Sequence, residues 1–421
     1  MEIKSLPVID KKNYQYEASR CLACYDPPCV EACPASVPIP RFIRALNSGN
    51  IDYAADLVRG VNPMISICGE VCPAEDYCMD ACTRNALDKP VEIRRLHKFA
   101  TDYGAVPNEE IPYETNLDKR VAIVGGGPAG LTCAAFLWKS GVGVTVYEIA
   151  KNLGGVPSNE IPEFRLAADK MEADVGAIRK LGIEWKLGEN IEHPSALLKD
   201  YDAVFLSTGL PEGKGLNIPG EGNERVYSAL EFLRKAKHSP DGIYVGDKVV
   251  VIGGGNVSLD VASTAHRLGA EEVHLVYRRG VKEIKIWESE LREAMNAGVI
   301  IHYLCFPKEF IIENNELKGL RCGRNELSDE LDSSNRRKPI PLDDSYDFLL
   351  PCDTAIVSIG LKSESITDRF VPENIKEYKS KEKGIFIGGD LITGEGTVVE
   401  AVRQGKEAAG VIVEYLKGGK W

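Results

Sequence analysis

The sequence predicts an α/β protein in which two doubly wound units follow an α-helical N-terminal domain. Three observations carry this reading: an apolar strand running into a glycine turn at Val121–Gly127, the same grammar again at Lys248–Gly255, and a cysteine-rich stretch without a strand pattern ahead of both. The chain has 421 residues, a formal net charge of −12, 44% hydrophobic and 27% charged residues. That composition excludes fibrous, disordered and membrane-embedded classes, and the length suffices for roughly two to four domains. The acidic balance argues against nucleic acid or an anionic membrane as a partner.

Residues 1–20 are charged and lack the apolar core of a secretory signal, so a cytoplasmic location is expected. There, clustered cysteines bind metal more often than they form disulfides. Eight of the twelve cysteines fall within the first 82 residues. The helical domain is expected over 1–118, with Ile39, Phe42, Ile43 and Leu46 at helical spacing and a polar, proline-containing linker at 106–112. The longest uncharged stretch, Val121–Trp138, approaches the length of a membrane span, but Gly125-Gly126-Gly127-Pro128 at its centre predicts a strand, a tight turn and a helix. No membrane segment is expected.

The first nucleotide unit is expected over 119–240 and again over 354–421, where GIFIGG and a closing helix from Thr397 complete it. Its motif is Gly125-x-Gly127-x-x-Gly130, with Glu148 at the end of the next strand, 23 residues after Gly125. Such glycines permit a tight turn and close approach of a pyrophosphate to a helix N-terminus, and the acid accepts from ribose hydroxyls. The second unit, expected over 241–353, has Gly253-x-Gly255-x-x-Ser258 and ends its second strand with Tyr277-Arg278-Arg279. A guanidinium cannot accept from a 2′-hydroxyl but can clamp a 2′-phosphate, which favours NADPH over NADH; a solvated basic strand end is the plainer alternative. Two dinucleotide sites suggest FAD in the first and a nicotinamide cofactor in the second. Gly389 and Asp390 precede the closing helix, whose N-terminus suits negative charge on reduced flavin. The charged segment Asn325–Arg337 reads as a hairpin or exposed loop.

The cysteines run Cys21-x2-Cys24-x4-Cys29-x3-Cys33-Pro34 and Cys68-x3-Cys72-Pro73-x4-Cys78-x3-Cys82. Two quartets, with proline after two members, fit two [4Fe–4S] clusters better than zinc knuckles, whose C-x2-C signature occurs once here. Cys133, Cys305, Cys322 and Cys352 have no partner at such spacing and are expected to pack as small apolar residues, so no dithiol relay is expected. His97 is the only histidine near the quartets; by itself it reads as a packed or surface side chain.

These motifs together resemble the small-chain family of glutamate synthase, which includes the large subunit of electron-bifurcating ferredoxin–NADP transhydrogenase and the N-terminal half of dihydropyrimidine dehydrogenase. The match covers about residues 15–420. Leu153–Leu166, Leu210-Pro211 and Glu283-Ile284-Lys285 are similar to the dihydropyrimidine dehydrogenase version. The resemblance implies one cluster on Cys21, Cys24, Cys29 and Cys82 and another on Cys33, Cys72 and Cys78, with Cys68 outside both. The second cluster's fourth ligand is a Gln or Glu in the family; here His97 occupies the position. Candidate FAD contacts are Gly125, Gly127, Pro128, Ala129, Gly130, Glu148, Gly155, Arg165, Gly209, Gly389, Asp390 and Thr397. Candidate NAD(P) contacts are Gly253, Gly255, Asn256, Val257, Arg278, Arg279 and Lys285.

The function so implied is an electron-input subunit: NAD(P)H is oxidised, and FAD and two [4Fe–4S] clusters carry electrons to a partner in a hetero-oligomer. No catalytic triad or general base is expected. The expected partner is a catalytic subunit with FMN and iron–sulfur clusters that reduces uracil or thymine. A glutamate synthase small chain, a transhydrogenase-type subunit, and a redox-inert scaffold held by zinc are the alternatives.

Overall fold

A computed structural model describes residues 9–105, 117–332, 334–394, 396–419 and 421; the expected linker at 106–112 lies outside the described residues. Two compact units emerge. One joins the N-terminal part through Ser158 to Glu163–Gly209 and Ser363–Trp421; the other comprises Asn159–Pro162 and Leu210–Lys362.

In the first unit every described element before Arg120 is helical. Ile39–Asn47 buries Ile39, Phe42, Ile43 and Leu46, the apolar positions at helical spacing. With Met64, Ile65, Leu96 and Phe99 these form a fully enclosed core, in which Tyr14 stacks on Phe99 at 4.3 Å. Gly69 lets Ile65–Val71 approach Ile93–Tyr103 closely: a Cβ there would sit 3.2 Å from the Lys98 Cα.

Beyond Arg120 the chain builds a five-stranded parallel sheet in the order Ile385–Ile387, Ala203–Leu206, Arg120–Val124, Gly143–Glu148, Glu184–Leu187. Its strands are near-continuous apolar runs, as expected when helices cover both faces. Pro128–Lys139 is buried almost all round, and Val398–Leu416 lies against it at backbone contact. A Cβ on Gly405 would fall 2.3 Å from the Ala129 carbonyl oxygen.

The second unit repeats the plan. Its parallel sheet runs Val226–Ser228, Thr354–Ser358, Lys248–Gly253, Glu272–Tyr277, Ile300–Tyr303, with the glycine-motif strand again in the middle. An antiparallel meander of Cys305–Glu313, Glu316–Leu331, Arg337–Pro341 and Phe348–Pro351 is inserted before the chain returns to that sheet. The segment expected as a hairpin or loop is therefore a hairpin. The domain boundaries differ from those expected at 240/241 and 353/354. Val226–Ser228 and Thr354–Ser358 pair within the second sheet, so the chain crosses at Gly209/Leu210 and Lys362/Ser363.

The cysteine-bearing helices and the first sheet share one unit, and a buried carboxylate helps to join them. Asp174, on Ala168–Arg179, accepts from the Ile67 amide at 2.8 Å at the start of Ile65–Val71. Burial raises its pKa to about 7, against the lowering effect of its bonds from Ile67 and Ser66 and of the Arg59 charge. Since the folded pKa lies above the unfolded one, the stability it confers is complete below the ordinary carboxyl range and is lost as pH rises through about 7. Asp174→Asn cannot ionise and is expected to gain melting temperature relative to the parent when pH is raised from about 5 to about 8. A difference between the two proteins that is the same at both pH values contradicts this.

Candidate functional site

In the first unit, residues expected to hold a dinucleotide come together from distant parts of the chain. Gly125 has φ +105°, and the Ser207 carbonyl lies where its Cβ would go, at 2.5 Å. A Cβ on Gly130 would stand 2.0 Å from the Gly125 oxygen. Only glycine fits at either position. Glu148 spans the turn: its Oε2 accepts from the Gly126 amide at 2.6 Å and its Oε1 from Ala150 at 2.8 Å. One acceptor site on each oxygen is used, which leaves capacity for ribose hydroxyls. Gly155 backs onto the Gly127 Cα, and Gly389 onto Ala129. Pro128 opens the helix as its first residue.

Gly209 follows the strand end at φ +67°, and Ser207 Oγ donates to the Gly125 carbonyl at 3.1 Å. Arg165 lies half-buried in the stretch before Ala168–Arg179. Thr397 caps Val398–Leu416 in a reciprocal capping box with Glu400. Asp390 begins a short helix after Gly389. The candidate flavin residues, Arg165 apart, thus surround one turn and one helix end.

The second unit builds a matching turn. Ser258, in place of the third glycine, is fully buried and donates to Ser358 Oγ at 3.1 Å, so its hydroxyl has a partner in the close helix–strand contact. Tyr277 lies against Gly254, where a Cβ would touch its ring at 2.3 Å. The Lys285 amide donates to the Gly254 carbonyl at 3.2 Å, and Asn256 Oδ1 accepts from the Trp287 amide at 3.3 Å. That segment thereby runs beside Gly253, Gly255, Asn256 and the exposed Val257, with the Lys285 side chain exposed.

The two arginines at the strand end separate. Arg278 is exposed. Arg279, expected beside it at the nucleotide's phosphate, is 2% exposed and paired with Asp332, with Nε donating to the Arg337 carbonyl at 3.1 Å. Just past the strand end at Tyr277, Arg278 is thus left open while Arg279 is taken up by Asp332.

Cys21, Cys24, Cys29 and Cys82 line one pocket with Ile39, Ile43 and Val91. Burial and then the neighbouring Cys82, Cys21 and Cys24 sulfurs push the Cys29 pKa to about 12. Burial and then Cys33 push Cys72 to about 12. Cys78 is raised by burial and then by Cys33 and Cys72, which groups these three. Thiols in such surroundings stay protonated near neutrality, and only a cationic centre among them lets several ionise together. Cys68 is fully buried and accepts from Asn62 Nδ2 at 3.4 Å; burial and then Cys72 raise its pKa, with Cys33 adding to the effect.

His97 is buried against Phe42, with ring centroids 4.6 Å apart, and its Nε2 is enclosed without a hydrogen-bond partner. Burial lowers its pKa to about 3, so the imidazole is neutral, the form a metal accepts. One turn earlier, Arg94 donates to the Cys72 carbonyl at 2.9 Å, which lays this helix along the second group of cysteines. An orphaned buried nitrogen, on the helix that Arg94 ties to Cys72, fits a cluster ligand.

Comparison with known proteins fixes the class. The family of pyridine nucleotide-disulphide oxidoreductases matches residues 119–405, and dihydropyrimidine dehydrogenase domain II, 4Fe-4S cluster, matches residues 4–108. The chain belongs to this oxidoreductase family and is an NAD(P)H-dependent flavin and iron–sulfur oxidoreductase subunit. It is 34% identical over 414 residues to the NAD-dependent dihydropyrimidine dehydrogenase subunit PreT of Escherichia coli K12, across 96% of this chain and 94% of PreT. It is also 34% identical over 430 residues to the β subunit of the NADP(+)-dependent formate dehydrogenase of Moorella thermoacetica, of which it spans 60%. Among solved structures, FprA of Mycobacterium tuberculosis shares the fold, with TM-score 0.62 at 18% identity over 71% of this chain and 85% of FprA.

Despite the family's name, the cysteines outside the N-terminal domain, Cys133, Cys305, Cys322 and Cys352, are all buried, as expected of small apolar residues. No described helix is long and apolar enough to cross a membrane. Sequence reasoning missed Asp174, Tyr77 and Lys406. Tyr77, between Cys72 and Cys78, reaches Thr397 Oγ1 at 3.5 Å, and Lys406 donates to the Ala35 carbonyl at 3.4 Å. Tyr77 lies within the spacing of the second quartet, which was a usable signal.

His97→Ala is expected to change the EPR signal of one cluster and leave the other intact in the oxygen-protected protein. Unchanged iron content together with unchanged signals would make His97 a packing residue only.

Proposed function

We propose that the chain is the electron-input subunit of a hetero-oligomer, taking electrons from NAD(P)H and delivering them to a catalytic partner. Cys21, Cys24, Cys29 and Cys82 would hold one [4Fe–4S] cluster, and Cys33, Cys72, Cys78 and His97 a second. Flavin supplies the exchange of paired for single electrons that nicotinamide cannot readily perform. The chain's residues bind and orient. Glu148 fixes the first glycine turn and receives the FAD ribose. The capped start of Val398–Leu416 faces negative charge with amides that have no partner within the helix. Arg278 and Lys285 receive the nucleotide in the second unit. No side chain is assigned to proton abstraction.

The observation that carries this reading is the four-thiol pocket in the same compact unit as the first glycine turn. A zinc scaffold fits less well, because the C-x2-C knuckle typical of zinc sites occurs once, at Cys21 and Cys24.

The partner proposed is an FMN and iron–sulfur subunit that reduces uracil or thymine. Near end-to-end coverage of PreT supports it, where the Moorella subunit extends well beyond the match. The complex is proposed to be cytoplasmic. Anaerobically purified protein is expected to hold about eight iron atoms per chain, and uracil is expected to accelerate NAD(P)H oxidation by the native complex. Zinc in place of iron would overturn the electron-transfer reading. A co-purifying chain whose substrate is formate, or glutamine with 2-oxoglutarate, would overturn the pyrimidine partner alone.

A further inference from the structure

The hairpin inserted in the second unit reaches back to the end of its glycine-motif sheet. The guanidinium of Arg279, buried at the strand end, pairs with Asp332. Asp332 in turn organises the turn that joins Glu316–Leu331 to Arg337–Pro341: its Oδ1 accepts from the Ser334 amide at 2.8 Å and the Arg336 amide at 3.2 Å. The hairpin is thus pinned to the strand that carries Tyr277 and Arg278.

Arg336 is held beside that strand end by neutral groups only. Its Nε donates to Ser334 Oγ at 2.8 Å, and its Nη1 lies 3.4 Å from both the Tyr277 hydroxyl and the Glu283 carbonyl. The Tyr277 ring covers Gly254, so this contact puts Arg336 one side chain away from the glycine turn. The nearby carboxylates pair with other arginines, Asp332 with Arg279 and Glu283 Oε1 with Arg337 at 2.6 Å, while Glu283 Oε2 has no hydrogen-bond partner. Among the described residues neither Arg278 nor Arg336 has a carboxylate partner. Partial burial, followed by the charges of Arg279 and Arg336, lowers the Arg278 pKa from its usual value. Four arginines, Arg278, Arg279, Arg336 and Arg337, gathered around two carboxylates, Asp332 and Glu283, leave net positive charge that suits a dianion bound there.

We infer that Arg336, presented by the hairpin and acting with Arg278, forms a clamp for the 2′-phosphate of NADP(H). Arg279 serves this clamp as a positioning residue, because it anchors the hairpin and does not touch the ligand. The inference rests on the proposed nucleotide site of the second unit and deepens it by assigning its choice of nucleotide.

The test uses holoprotein and two probes that differ in one phosphate, 2′,5′-ADP and 5′-AMP, with affinity read by calorimetry. The parent is expected to bind 2′,5′-ADP more tightly than 5′-AMP. Arg336→Gln is expected to weaken 2′,5′-ADP about tenfold or more and leave 5′-AMP unchanged, the loss of one charge-assisted pair. Arg336→Lys keeps the charge and is expected to recover part of the loss. Asp332→Asn frees the hairpin and is expected to weaken 2′,5′-ADP selectively, which also carries the test should the glutamine variant fail to fold. Equal loss for both probes, or no loss for either, overturns the clamp. A parent that binds both probes alike also overturns it but leaves the nucleotide site standing. A parent that binds neither, and whose flavin neither NADPH nor NADH reduces, removes the nucleotide site itself.

Discussion

Ligand-capable side chains that the fold gathers but leaves without a full set of partners are the constraint on which the chemistry depends. In the N-terminal domain, burial and mutual repulsion hold Cys29 and Cys72 at pKa values of about 12, so these thiols cannot serve as thiolates alone. The enclosed Nε2 of His97 lacks a partner in the same domain. In the second unit, Arg278 and Arg336 stand at a strand end where four arginines outnumber two carboxylates. Each arrangement is costly by itself and is relieved by a ligand of the opposite character, a cationic metal centre in one case and a phosphate dianion in the other.

The cysteine domain is built into the flavin-type unit and is no appendage to it. Asp174 caps Ile65–Val71 through the Ile67 amide. Lys170 reaches Asp102 at 2.7 Å, Tyr77 lies 3.5 Å from Thr397 at the closing helix's cap, and Lys406 of that helix donates to the Ala35 carbonyl at 3.4 Å. That helix is pressed against Pro128–Lys139 at Gly405, so the glycine turn and the cysteine segments share one rigid element. Electron transfer between bound cofactors needs fixed distances, and backbone-level packing provides fixity that surface ion pairs do not.

Much of this was legible in the sequence, because it depends on local pattern. Strand, glycine turn and helix repeat with the same spacing, and both sheets place the motif strand centrally. Glu148 stands at the first glycine turn, and Cys21, Cys24, Cys29 and Cys82 line one pocket, although Cys82 lies far from the other three in the chain. The domain boundaries were not legible: Thr354–Ser358 returns to the centre of the second sheet after a long antiparallel insertion, and nothing local marks which sheet a strand will join. Nor could the sequence tell which of two neighbouring arginines would face inward. That depends on pairing with Asp332, more than fifty residues further along the chain. Arg336 was hidden for the same reason, inside a charged stretch that reads as an exposed loop.

The central claim is that reducing equivalents from a pyridine nucleotide reach the cysteine-held centres within this single chain. The most direct measurement is an oxygen-free titration of the purified chain with NADPH, in which flavin and iron–sulfur absorbance are followed together and reduced clusters are read by EPR. Uptake of about four electrons per chain, two for flavin and one for each of two clusters, with cluster signals appearing without any added mediator, is the expected result. Uptake that stops at two electrons, with bleached flavin and clusters that dithionite reduces but NADPH with a mediator does not, would contradict it.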